Sequence, residues 1–152
     1  MPEKEIKQLF LDQLFNILER KTEAAISAIE SAKESRDSDT KSSAGDKYET
    51  SRAMMQIEIE KNEVQLSKII NLKNDLSLID TQKEYTKVEF GSLVKTNQGT
   101  CFISIGMGKV TVDVQSIFAI SIASPIGKLL LDKVVGDIIL FQGREFVIKE
   151  IF

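Results

Sequence analysis

Apolar residues in the first third of the chain recur in steps of three and four. Ile6, Phe10, Leu14 and Ile17, then Ala24, Ala25, Ala28, Ile29 and Ala32, trace one stripe between charged and polar positions. No Gly and no second Pro interrupts residues 2 to about 35, and Pro2 stands where a helix start tolerates it. A long helix is predicted here. Its stripe narrows from Phe, Leu and Ile to Ala, which lets a partner helix approach closely at that end. A second helix is predicted from about residue 46 to about residue 78. In it Met55, Ile59, Asn62, Leu66, Ile69, Lys73 and Leu76 keep a four-three spacing, flanked by Ile57, Val64 and Ile70. That rhythm fits a coiled-coil seam with two polar interruptions. Residues 36–49 between the helices are rich in Ser, Asp, Thr and Gly and have no apolar period, which is turn chemistry. The pattern predicts an antiparallel helical hairpin over residues 1–79, with its tip near 36–49. Roughly 30 residues per arm would reach about 45 Å. An ordinary helical bundle is the plainer alternative.

The rhythm then changes. Residues 80–86 are polar and read as a linker. The runs 88–96, 100–105, 109–114 and 116–122 are β-branched, aromatic and partly alternating, as short strands are. Ser124 is a good N-cap and Pro125 a good first helical residue, so a short helix is predicted there, with Leu129, Leu130 and Val134 available to a core. Gly136-Asp137 turns into a strand at 138–141, Gln142-Gly143 turns again, and the last residues form a strand. Residues 87–152 therefore predict a small α+β domain, and the whole chain an α+β protein.

Composition narrows the chemistry. Among 152 residues there is no His, no Trp and a single Cys, Cys101. Ser-His-Asp and Cys-His nucleophiles are excluded in their usual forms. One Cys without His cannot close a structural zinc shell, and it cannot form an internal disulfide, which fits a reducing cytosol. Cys101 sits in an apolar run and reads as a buried, inert thiol; Met54 and Met55 read as seam fillers. Net charge is −3, so no general affinity for phosphate backbones is expected, though a local basic patch stays open. No independent sequence-specific DNA binding is expected. The first residues carry charges and lack a signal-peptide core, and no run approaches a membrane span. The expected location is cytoplasmic.

In the second half, Val88-Glu89-Phe90-Gly91-Ser92 is followed by Ser124-Pro125-Ile126-Gly127-Lys128-Leu129-Leu130 and by Val135-Gly136-Asp137. This order resembles the bacterial Gre-type transcript-cleavage factors, and the preceding hairpin extends the resemblance over essentially the whole chain. It implies an FKBP-like domain that docks on the rim of the secondary channel of RNA polymerase through Ser124, Pro125, Ile126 and Lys128. It also implies a hairpin that passes down the channel to the backtracked RNA 3′ end. There, tip carboxylates would hold a second Mg²⁺ jointly with the polymerase, which cleaves the RNA by two-metal chemistry. On this reading the chain is an accessory elongation factor and not an independent enzyme.

The tip departs from the family pattern. The family tip resembles Asp-Leu-Ser-Glu-Asn-Ala-Glu-Tyr. Setting Tyr48 on its tyrosine puts Lys41 and Ala44 at the two metal-touching acids. A shifted register or a longer tip would bring Asp39 and Asp46 to the metal instead, and these are the candidate ligands. Asp37, Lys41, Lys47, Tyr48 and Glu49 are candidate tip contacts. The competing readings are structural: Asp39 or Asp46 capping a helix, Asp46 with Glu49 as a capping arrangement, Tyr48 packing on Ala28 or Ala32, and the lysines solvated. Two other functions stay open. One is a non-catalytic channel binder that modulates or inhibits transcription, favoured by Lys41 and Ala44. The other is a coiled-coil scaffold or dimerisation protein. Prolyl isomerase activity would need an aromatic pocket, and Phe90, Phe102, Phe118, Phe141, Phe146 and Phe152 are shared with the core.

Overall fold

The structure, a computed structural model, describes residues 3–38 and 45–152, apart from the side chains of residues 45–48. The protein is α+β. Helices α1 (Glu3–Ser38) and α2 (Gly45–Ser77) come first. Strands β1 (Leu93–Thr96), β2 (Gly99–Ile103), β3 (Gly108–Val112) and β4 (Gln115–Ile120) follow, then α3 (Pro125–Leu130), β5 (Ile138–Phe141) and β6 (Arg144–Ile151). The chain divides into two compact units, residues 16–73 and residues 1–15 with 74–152. The division falls inside both long helices.

In the unit of residues 16–73, α1 and α2 pack antiparallel. Lys73 Nζ donates to Glu19 Oε2 at 2.8 Å, and Arg36 Nη1 donates to Gln56 Oε1 at 2.8 Å. Ile29, Ala32 and Ile59 are buried between the helices, with Met55 and Leu66 against them. The four-three positions of α2 are all buried or half-buried, while Ile57, Val64 and Ile70 are exposed. Both polar interruptions are satisfied: Asn62 Nδ2 donates back to the Glu58 carbonyl at 2.8 Å, and Lys73 reaches Glu19. Met55 fills the seam as expected, but Met54 is exposed. On α1 Ala25 is buried and Ala24 is not. The predicted turn is too wide. Residues 36–38 belong to α1 and residues 45–49 to α2, and the Arg36–Gln56 bond ties the last turn of α1 down.

In the other unit, six strands form one sheet in the order β3-β4-β2-β1-β6-β5. Among the described residues only β2 and β4 run parallel; the other pairs are antiparallel. Leu93 pairs with Phe102 and Val94 with Cys101, and all four are buried, so the centre of the sheet is covered on both faces. Val94, Cys101, Ile103 and Ile120 pack with Val88, Leu130, Ile139 and Ile148. On the opposite face Lys95 Nζ meets Glu3 Oε1 of α1 at 3.0 Å, and Phe10 is fully buried.

Three expectations need correction. The opening strand begins at Leu93, because residues 88–92 form a turn: Ser92 N donates to Glu89 O at 3.0 Å and Gly91 has φ +94°. Of the three apolar residues offered to the core after Pro125, only Leu130 is buried; Leu129 and Val134 are exposed. The polar stretch 80–86 is also pinned. Thr81 and Tyr85 are buried, and Thr81 Oγ1 donates to Gln8 Oε1 at 3.0 Å.

Gly127 fixes α3 in place. A Cβ there would collide with the Ser121 carbonyl oxygen and approach Ile122 Cα to 2.9 Å. Both obstacles are backbone, so neither can swing aside. Gly127→Ala is expected to destabilise the protein by about 1–3 kcal/mol, the usual range for overpacking. Urea unfolding measures this, and an unchanged midpoint would contradict the close approach.

Candidate functional site

The end of the helical pair remote in sequence from the sheet is polar. Asp37 Oδ1 accepts a bond from Arg36 Nε at 3.0 Å, so this acid is already engaged. Glu49 lies in the second turn of α2 and is exposed. Asp39, Lys41 and Ala44 lie outside the described residues. Asp46, Lys47 and Tyr48 stand in the first turn of α2, and their side chains lie outside the description. Among the described residues no His, Cys, Asp and Glu side chains gather in threes as a metal would require. No helix of the described residues is long and apolar enough to cross a membrane.

The start of α3 forms as its residue types dictate. Ser124 Oγ accepts from Gly127 N at 3.1 Å and donates to Ser121 O at 2.6 Å, while Pro125 occupies the first turn, where its missing N–H costs nothing. Ser124 is therefore occupied as a cap. Pro125 and Lys128 are exposed, and Ile126 is half-buried. Ile126 borders a groove of about 520 Å³ together with Cys101, Phe118, Ile120, Phe141 and Phe146, with Gln98, Gln142 and Arg144 as its polar members. Three phenylalanines thus reach this groove, and Phe118 is 41% exposed. Sequence reasoning did not bring these residues together, because the walls come from five strands, β2 to β6, and α3. One partial signal was present: Phe118 alternates with the core positions Ile117 and Ala119. Burial pushes the Cys101 thiol up to about 11, so it is protonated and unreactive at neutral pH, as expected.

A second hollow of about 390 Å³ lies among Glu3, Lys4, Lys7, Lys83, Glu84, Tyr85, Ile151 and Phe152. Lys7 is 1% exposed, and its Nζ has no hydrogen-bond partner among the described residues. It sits 4.5 Å from the centre of the Tyr85 ring, with Lys83 Nζ at 5.1 Å from the same ring. Cation–π attraction offsets only part of the cost of desolvating an ammonium. Burial accordingly pulls the Lys7 pKa down to about 8, with Asp80 opposing the shift. Tyr85 is raised, first by its own burial and then by Glu89 and Asp80. Lys7 was discoverable in the sequence: it stands three, four and seven residues before Phe10, Leu11 and Leu14, all buried on α1.

No family model matches the chain, and no curated protein matches it.

The Lys7 shift has a definite sign. An unfolded lysine titrates near 10.5 and the folded one near 8, so between these values the unfolded chain holds the extra proton. Stability should rise with pH across that window, and the penalty is complete below it. Lys7→Met is expected to stabilise the protein at pH 7 by on the order of 2 kcal/mol. The advantage should shrink as pH rises from about 8 to about 10.5. Urea unfolding of both proteins at neutral and alkaline pH checks this; a pH-independent difference would show that the ammonium is not desolvated.

Proposed function

We propose that this protein is a Gre-type transcription factor that binds RNA polymerase, extends an antiparallel coiled-coil hairpin into the secondary channel and acts on backtracked complexes. The observation that supports it most is the helical pair itself. Two helices of 36 and 33 residues pack through a narrow seam and carry polar groups where α1 ends and α2 begins. At about 1.5 Å per residue, α1 alone is about 54 Å long. A seam built on Ala32, Ile29 and Ile59 keeps the pair slender, as a channel demands.

The FKBP-like unit would supply the anchor. Its groove beside Ile126 presents an apolar surface rimmed by Arg144, Gln98 and Gln142, suited to an apolar or helical feature of the polymerase. Pro125 and Lys128 would flank this contact, and Ser124 would contribute by holding α3. Asp39 and Asp46 would be the acids that meet Mg²⁺ at the polymerase active centre. When bound, that ion would stabilise negative charge on phosphoryl oxygens. Asp37, bonded to Arg36, is the poorer ligand.

A second reading has its own support. Lys41 and Ala44 fall at the acidic positions of the family tip, which favours a channel binder that modulates or blocks transcription without cleavage. A third, a helical scaffold, is separated by light scattering and polymerase pull-down: a stable dimer that ignores polymerase would replace both channel readings.

The deciding experiment adds the protein and Mg²⁺ to a stalled elongation complex. Shortening of the RNA is expected, lost on Asp39→Ala with Asp46→Ala while polymerase binding persists. Binding that slows synthesis without any shortening would move the assignment to the modulator.

A further inference from the structure

The hollow around Lys7 holds two orphaned groups of opposite character. Among the described residues, Lys7 Nζ is buried without an acceptor, and Glu3 Oε2 is buried without a donor. The two residues are four apart on α1 and so lie on one face, where side chains are neighbours about 5–6 Å apart. They do not satisfy each other. Glu3 is drawn to Lys95 through Oε1 at 3.0 Å, and Lys7 is drawn over the Tyr85 ring at 4.5 Å. The other charges around the hollow are partly spoken for: Lys4 meets Glu84 at 3.8 Å, and Lys95 also meets Glu150 at 3.4 Å. Lys83 adds a second ammonium beside Tyr85. Ile151 and Phe152 complete the wall with apolar surface.

We infer that this hollow is a binding site for a small zwitterion of the amino-acid type. Its carboxylate would accept from Lys7 and Lys83, its ammonium would donate to Glu3 Oε2, and its side chain would lie against Tyr85, Ile151 and Phe152. The pairing of orphans selects this class. A simple dianion such as phosphate would satisfy Lys7 but set its charge against Glu3 and Glu84. A simple amine would satisfy Glu3 and leave Lys7 as it is. Buried polar groups left open cost stability until a partner arrives, so a ligand that pairs both gains twice. A volume of about 390 Å³ falls in the range of small-molecule sites. The inference is independent of any role in transcription.

The test is an NMR titration of the full chain with four probes: phenylalanine, N-acetylphenylalanine, phenethylamine and inorganic phosphate. Saturable shifts at the amides of Lys7, Tyr85 and Phe152 are expected with phenylalanine. Loss of either charge should weaken binding roughly tenfold or more, the usual cost of a lost charged hydrogen bond. Lys7→Met should abolish binding of phenylalanine. Glu3→Gln should weaken phenylalanine but leave N-acetylphenylalanine, which has no ammonium, unchanged. Phosphate binding as well as phenylalanine, absence of saturable shifts with every probe, or a Glu3→Gln variant that weakens both amino-acid compounds equally would each overturn the inference.

Discussion

A strand pair that buries both of its faces must be covered twice, and this demand organises the sheet-bearing unit. Leu93, Val94, Phe102 and Ile103 have no exposed surface and Cys101 almost none, though they alternate between opposite faces of β1 and β2. Apolar burial at about 25 cal/mol per Å² makes leaving either face bare costly. On one face Leu130 of α3 packs with Ile139 of β5 and Ile148 of β6. On the other face lies the start of α1, where Glu3 holds Lys95. The groove and the hollow are what these covers leave open. The groove borders α3 and the hairpin; the hollow borders α1 and the end of β6.

Helix and strand periodicity made most of the elements readable. The four-three spacing on α2 picked out the buried face residue by residue, because a long helix with one apolar stripe has only one way to bury it. The Ser124-Pro125 start of α3 was readable because capping is local chemistry. Residues 88–92 were misread because Val88-Glu89-Phe90 alternates as a strand does, while Gly91 at φ +94° lies under the Tyr85 hydroxyl and turns the chain. Leu129 was misassigned since a helix of six residues offers a core only one turn's worth of side chains, and Val134 lies beyond the end of α3. The candidate sites were much less legible. The groove gathers residues from 98 to 146 and the hollow joins 3 to 152, so neither leaves a periodic trace.

Charge is managed differently in the two units. On the helical pair the ions sit at the surface, as in Lys73–Glu19, where solvent weakens them to a few tenths of a kcal/mol up to about 1. In the sheet-bearing unit Lys7 is taken out of water against the Tyr85 ring, without a hydrogen-bond partner for its Nζ among the described residues. Desolvating an ammonium costs stability, and groups perturbed in this way cluster at functional sites.

The antiparallel bonds of Glu19 with Lys73 and Arg36 with Gln56 constrain how the helical pair can change length. Each step forward on α1 is matched by an equal step back on α2. An insertion in one helix alone would slip the seam and put Ile59 or Leu66 into water. Matched insertions of seven residues in both would preserve every pairing below them. The packed helical pair can therefore be lengthened or shortened by evolution, or by design, in paired whole repeats.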